Sequence, residues 1–393
     1  MSLNNTPSAE RIHIGFFGMR NAGKSSLVNA ATSQNLSLVS DIKGTTTDPV
    51  KKAMELLPLG PVVIIDTPGL DDEGTLGEMR VKRAKETLST VHIAVLVVDA
   101  LKGMSDEDKS LAAEIESRKI PLIIAMNKSD LLGSVPENEG ATIYVSAERN
   151  IGINELREKL ASLGKTAKTD KKILADLVSE GDTVILVTPI DESAPKGRLI
   201  LPQQQTIREL LEIGAVTLVV QVNEITKALD NLKNPPKLVI TDSQAFGKVS
   251  QLVPENIKLT SFSILFARYK GDLATVVQGA DKLSDLKDGD KILISEGCTH
   301  HRQCKDIGTV KLPGWIEMFT GKKLQFDFTS GGDFPDDLSD YALVVHCGGC
   351  TLSENEMKHR LERCRQQSVP VTNYGTAIAE INGILRRSLE VFE

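Results

Sequence analysis

One loop constrains the fold of this chain more than any other feature. Gly18-Met19-Arg20-Asn21-Ala22-Gly23-Lys24-Ser25 has the spacing Gly-x4-Gly-Lys-Ser, and it lies between an apolar run, Ile14 to Phe17, and a helix-forming stretch, Lys24 to Ala31. A glycine-rich turn between a strand and a helix aims backbone N–H groups at one point, and the helix N-terminus adds its positive end there. Strands and helices that alternate after such a turn imply a mostly parallel sheet covered on both faces. The sequence continues in that way. Val62 to Ile65, Ile93 to Val98, Leu122 to Ala125 and Ile143 to Val145 read as buried strands. Met79 to Ser89, Asp106 to Arg118 and Asn154 to Leu163 read as the helices between them. The expected class is α/β.

Further motifs follow the loop in order. Lys24 is expected on the β/γ-phosphates and Ser25 on Mg²⁺, with Gly18, Asn21, Ala22, Gly23 and Ser26 completing the phosphate contacts. Asp66-Thr67-Pro68-Gly69 ends a predicted strand; Asp66 would reach Mg²⁺ through water, and the Gly69 N–H would sense a γ-phosphate. Thr46, within Gly44-Thr45-Thr46-Thr47-Asp48, is the expected switch threonine for Mg²⁺ and the γ-phosphate. Lys24, Thr46 and Gly69 are thus the candidate catalytic positions. In Asn127-Lys128-Ser129-Asp130 a carboxylate can accept from both N1–H and N2–H₂ of guanine, which adenine does not offer. Ser146-Ala147 would supply a backbone contact to guanine O6.

Together these motifs resemble the G domain of translation-factor-type GTPases over about Arg11 to Leu163, which implies GTP and GDP as ligands. Leu70 stands where Ras-like enzymes place a water-orienting glutamine, and leucine cannot do that work. Gly-x-x-Asn-x-Gly-Lys-Ser with Gly-Thr-Thr resembles the cation-dependent bacterial GTPases related to TrmE and Era. That resemblance implies that Asn21 helps bind K⁺ near the phosphates.

The chain is 393 residues long, enough for two or three domains. Gly164 to Asp170 is polar and aperiodic and reads as a linker. A second α/β block follows: strands Val184 to Val187, Val216 to Val222 and Leu238 to Thr241, with helices Gln204 to Glu212, Ile225 to Leu232 and Ser243 to Gln251. A third begins near Ile264, with strands Ile292 to Ser295 and Leu343 to Val345 and helices Asn355 to Gln367 and Ala377 to Arg386. Net charge is -7 and no long basic run is present, which argues against nucleic acid or an anionic membrane as the main partner. The polar N-terminus lacks a signal-peptide core and the apolar runs are too short to span a bilayer, so a cytoplasmic protein is expected.

All five cysteines, Cys298, Cys304, Cys347, Cys350 and Cys364, lie at or beyond position 298. An odd number of late cysteines reads poorly as a disulfide framework. His346-Cys347-Gly348-Gly349-Cys350 puts two sulfurs on one tight loop, and Cys298-Thr299-His300 follows another predicted strand. If those strands are parallel neighbours, Cys298, Cys347 and Cys350 meet at the carboxyl edge of a sheet, where softness favours Fe–S or Zn. Cys304 and Cys364 read as small buried residues and His301 as a solvated neighbour; His300 and His346 are either ligands or supports of ligands.

Cys-x-His, 45 intervening residues, then His-Cys-x-x-Cys, in a chain that opens with this G domain, resembles the HydF family of [FeFe]-hydrogenase maturation GTPases. The resemblance implies a GTP-binding domain over 1–168, a dimerisation domain over 171–263 and an iron–sulfur domain over 264–393. It implies a [4Fe-4S] cluster held by Cys298, Cys347 and Cys350, its fourth position open to His300, His346, an acidic side chain or water. The implied role is a homodimeric scaffold that takes a diiron precursor made by two radical-SAM maturases and passes it to apo-[FeFe]-hydrogenase. Two alternatives are a regulatory GTPase with a structural Cys/His zinc site and an RNA-linked GTPase of the TrmE/Era type.

Overall fold

The computed structural model describes residues 8–32, 50–69, 82–167, 171–190, 199–297 and 307–393. The chain divides into two units, Met1–Asp170 and Lys171–Glu393.

In chain order the first unit contains β1 (Ile12–Phe17), α1 (Lys24–Thr32), β2 (Val50–Leu56), β3 (Gly60–Asp66), helical residues 82–87 (α2), β4 (Ile93–Asp99), α3 (Asp106–Ser117), β5 (Leu122–Asn127), β6 (Thr142–Tyr144) and α4 (Ile153–Ala167). One six-stranded sheet has the order β2-β3-β1-β4-β5-β6. It is parallel except for β2, which runs antiparallel to β3 at the edge. Alternate residues of the central strands feed two cores. Ile14, Phe16, Val95 and Val97 pack with Leu27, Leu156 and Leu160 of α1 and α4. Phe17, Ile65, Leu96 and Val98 pack with Leu88, Leu111 and Ile115 on the other face. The predicted linker is corrected in part, because α4 runs on through Ala167. Gly164 lies within this helix, where a Cβ would meet Leu59 at 2.2 Å.

The second unit contains β7 (Thr183–Val187), α5 (Leu201–Ile213), β8 (Val216–Val220), α6 (Ile225–Asp230), β9 (Leu238–Thr241), α7 (Phe246–Leu252), β10 (Leu259–Ser261), α8 (Phe262–Lys270), α9 (Leu273–Asp281), β11 (Lys291–Glu296), α10 (Leu312–Thr320), β12 (Gln325–Ser330), β13 (Leu343–His346), α11 (Glu354–Gln366), β14 (Val371–Asn373), α12 (Tyr374–Ile381) and α13 (Leu385–Leu389). Two four-stranded parallel sheets result, β10-β9-β7-β8 and β12-β11-β13-β14. Shared helices join them. From α8, Leu265 enters the core of the first sheet and Ala267 that of the second. From α12, Ala379 packs on the first sheet while Ala377 and Ile378 pack on the second. The predicted helix from Ala377 to Arg386 is two helices, α12 and α13, separated at Asn382-Gly383, where Gly383 has φ +67°.

Among the described residues, no helix is long and apolar enough to cross a membrane.

Candidate functional site

The phosphate loop joins β1 to α1 as its spacing requires. Gly18 has φ +138°, and a Cβ there would lie 2.2 Å from the Val97 carbonyl oxygen, so only glycine fits against β4. Lys24 is buried, and its Nζ donates to the loop's own carbonyls, Gly18 O at 2.9 Å and Met19 O at 2.8 Å. Ser25 and Ser26 lie exposed in the first turn of α1. Ser25 Oγ–H donates to Asp66 Oδ2 at 2.7 Å. Among the described residues, the buried Asp66 Oδ1 has no hydrogen-bond partner, and burial raises the pKa of this carboxyl against the pull of Ser25 and Lys24. A hydroxyl beside a carboxylate with an unused buried oxygen suits a divalent cation. Thr67 anchors the adjoining turn, with Oγ1–H donated to Phe16 O at 2.7 Å, and Gly69 follows it. Thr46 and Leu70 lie outside the described residues.

Asn127 to Asp130 and Ser146-Ala147 come together at the carboxyl ends of β5 and β6. Asn127 is buried; its Nδ2 donates to Ala22 O at 3.0 Å, and its Oδ1 accepts the Ala147 N–H at 3.1 Å. Ser146 is buried, and its Oγ accepts the Arg149 N–H at 3.1 Å. Lys128 adopts a left-handed backbone, φ +64°, and its Nζ donates to Asp99 Oδ2 at 2.6 Å. Asp130 pairs with Arg149 Nε at 3.5 Å. Asn21 also has a left-handed backbone, φ +63°. Asp99 was missed by sequence reasoning. Its position at the end of β4, level with Asn127 in register, was the available signal.

In the second unit β11 and β13 are parallel neighbours, with Ser295 opposite His346. Cys347 and Cys350 therefore leave the same sheet edge toward which β11 directs Gly297. The Gly297 N–H donates to Cys347 Sγ at 3.0 Å, and the Gly349 N–H to the same sulfur at 3.4 Å. Gly349 has φ +61°, and a Cβ there would meet Met357 Sδ at 2.6 Å, whereas among the described residues nothing lies within 4 Å of the corresponding point at Gly348. The tight turn thus needs Gly349. Burial pushes the Cys347 thiol up to about 11 against two N–H donors, and burial raises Cys350 against the charge of Lys270. Two sulfurs on one glycine turn, one already accepting two N–H bonds, suit a thiophilic metal group. Cys298, His300, His301 and Cys304 lie outside the described residues. Among the described residues no three Cys, His, Asp or Glu side chains form a metal-sized group.

His346 is buried at the end of β13. One ring nitrogen, Nδ1, lies 2.8 Å from Cys347 O, and the other, Nε2, lies 3.0 Å from Arg360 Nη1. Since arginine only donates, Nε2 accepts and Nδ1–H donates. Burial, reinforced by the Arg360 charge, lowers the His346 pKa to about 3, so the ring is neutral. Cys364 is fully buried on α11. Lys270 and Arg360, both buried, were missed as site residues because each sits in a helix pattern where a charge reads as solvated.

Fold and sites together define a P-loop GTPase domain followed by an α/β unit with a cysteine loop at a sheet edge. Comparison with known proteins agrees. Residues 13–128 match a model described as 50S ribosome-binding GTPase, 173–271 match the hydrogen maturase F dimerization domain, and 274–391 match the hydrogen maturase F tetramerization domain. The last two cover more than half of the chain, and the chain belongs to the hydrogen maturase F family. Among curated relatives, the tRNA modification GTPase MnmE of Nitrosospira multiformis is 33% identical over 161 residues, 39% of this chain and 35% of that protein. GTPase Der of Kosmotoga olearia is 33% identical over 189 residues, 43% of this chain and 42% of that protein. The chain thus spans about two-fifths or less of the length of these two relatives. Among solved structures, a probable GTP-binding protein engB is 23% identical with a TM-score of 0.32, covering 39% of this chain and 99% of that one.

Proposed function

We propose that this protein hydrolyses GTP in its first unit and, in its second, carries an iron–sulfur cluster and a diiron precursor destined for an apo-[FeFe]-hydrogenase. The observation that carries the reading is the Gly297 N–H donated to Cys347 Sγ at 3.0 Å. Gly297 immediately precedes Cys298 in sequence, which supports a site shared by Cys298 and the Cys347 loop. Cys298, Cys347 and Cys350 would hold a [4Fe-4S] cluster. Three protein thiolates leave one iron with an exchangeable position, which is the chemistry a carrier of cargo requires. Both ring nitrogens of His346 are engaged, which supports it as the residue that orients Cys347; His300, an acidic side chain or water remain for the fourth position.

In the first unit Lys24 and the loop N–H groups bind phosphate, Ser25 and Asp66 with Thr46 would hold Mg²⁺, and Asp130 reads guanine. Asn21 would assist K⁺; equal hydrolysis rates in K⁺ and Na⁺ would refute that assignment. Two radical-SAM maturases are the proposed source of the precursor. Release of the switch segments around Thr46 and Gly69 on loss of the γ-phosphate would time the exchange of partners.

The test is anaerobic purification followed by maturation of apo-hydrogenase after co-expression with the two maturases. Brown protein containing iron and sulfide, and a hydrogenase activated by it, are expected. A Cys347→Ser variant is expected to hydrolyse GTP but neither hold the cluster nor mature the enzyme. Colourless protein holding zinc alone, or maturation by the Cys347→Ser variant, overturns the reading.

A further inference from the structure

Helix α8 starts at the carboxyl end of β10 and ends at Lys270, whose side chain is only 4% exposed. A buried ammonium is costly unless each of its three N–H donors finds an acceptor. Lys270 Nζ finds Cys350 O at 3.0 Å, Leu352 O at 3.1 Å and Gly349 O at 3.3 Å. All three carbonyls belong to the cysteine loop. Other ties of that loop run to the sheet: the Cys347 N–H to Ser295 O at 2.9 Å, the Gly297 N–H to Cys347 Sγ at 3.0 Å, Thr351 Oγ1–H to Gly297 O at 2.8 Å, and His346 Nδ1–H to Cys347 O at 2.8 Å. Lys270 is therefore the one staple of this set that reaches the loop from a helix of the preceding sheet, within the segment matched by the dimerization model.

We infer that Lys270 is a positioning residue of the cluster-binding loop, fixing Cys350 and supplying a positive charge against an anionic metal–sulfur group. The inference rests on the cluster reading above. Three bonds from one rigid helix end hold the backbone on both sides of Cys350, so its sulfur is preorganised and no ordering cost falls on ligand binding. The nearby charge offsets the negative charge that thiolates bring into the site. A flexible loop on the same sheet edge would supply the sulfurs without either benefit.

The test uses full-length protein reconstituted anaerobically with iron and sulfide. Lys270→Met is expected to lose its cluster to a chelator about tenfold faster than wild type, the scale of support-residue effects in metal sites. Its midpoint potential is expected to fall, since an added electron no longer meets the cation. Lys270→Arg keeps the charge but cannot place three donors in the same way. It is expected to hold a near-wild-type potential with faster cluster loss. GTP hydrolysis is expected to be unchanged in both. If Lys270→Met does not fold, as read by circular dichroism, Lys270→Gln takes its place. Wild-type retention and potential in the folded uncharged variant overturn the inference and leave the cluster reading standing. Wild-type protein that takes up no iron and sulfide overturns both.

Discussion

Gly23 and Asn127 lie so close that a Cβ on the glycine would stand 2.3 Å from the asparagine Nδ2. They are 104 positions apart in sequence. The contact fixes the phosphate loop against the segment that begins at Asn127, because the same amide donates to Ala22 O and accepts from the Ala147 N–H. Asn127→Asp replaces the donor with an oxygen facing another oxygen. Loss of a buried hydrogen bond of this kind costs about 1–3 kcal/mol, so affinity for GDP is expected to fall about fivefold or more. Titration with a fluorescent GDP analogue measures it. Wild-type affinity in Asn127→Asp would show that the asparagine does not brace the site.

Asp99 and Lys128 give the first unit an acid-sensitive support. Burial alone raises the Asp99 carboxyl, but the hydrogen bonds from Lys128 and the Leu101 N–H outweigh it and hold the group below its usual range. A depressed carboxylate pKa stabilises the folded state above 3.8, and that contribution is lost as pH falls through the lower folded value. The pair is partly exposed, so the effect is expected to be under about 1 kcal/mol. Denaturant midpoints measured from pH 6 downward should show a shallower acid slope in Asp99→Asn than in wild type. Parallel slopes would remove the pair from the acid response.

The parts legible in the sequence were those in which backbone demands dictate residue type. A phosphate loop needs its glycines, and a central strand buried on both faces needs continuous apolar residues, so β1, β3, β4 and β5 stood out. Strand β2 did not. Only Met54 and Leu56 are buried in it, and Lys51, Lys52 and Glu55 face outward on an antiparallel edge. Strands β10 and β14 are three residues long and carry buried hydroxyls at Thr260 and Thr372, so neither shows an apolar run. The cysteine loop was legible from its sulfurs and glycines. Its supports, Lys270 and Arg360, were not, because periodicity does not distinguish a charge that ends a surface helix from one that reaches inward to carbonyls.

Arg360 carries the other side of the cysteine loop. It is buried, and it donates to His346 Nε2, Ser295 Oγ, Gly331 O and Glu356 Oε1 while its guanidinium lies 5.1 Å from the Phe334 ring centroid. Arg360→Met removes the buried partner of a part-buried ion pair together with its bonds to His346, Ser295 and Gly331, a change that costs about 1–3 kcal/mol. Arg360→Lys keeps the charge but has no planar fork to serve four acceptors, so partial loss is expected. Equilibrium unfolding of the full chain, followed by a probe in the second unit, reads both. Wild-type stability in Arg360→Met would mean that the network merely fills space.

The edge of the first sheet of the second unit points to how copies meet. β8 ends that sheet with Val216 and Val219 about half exposed, and Leu211 on α5 is exposed beside it in sequence. An open strand with exposed valines is a template for pairing with another strand unless something covers it. The chain's match to a dimerization domain over 173–271 supplies a second copy as the occupant. Charges on the edge should block the pairing without touching either site. Val216→Lys with Val219→Lys is therefore expected to lower the sedimentation coefficient by at least one step of assembly. GDP binding and cluster uptake should remain, since neither residue lines the phosphate loop or the cysteine loop. An unchanged sedimentation coefficient would place the self-association surface elsewhere on the unit.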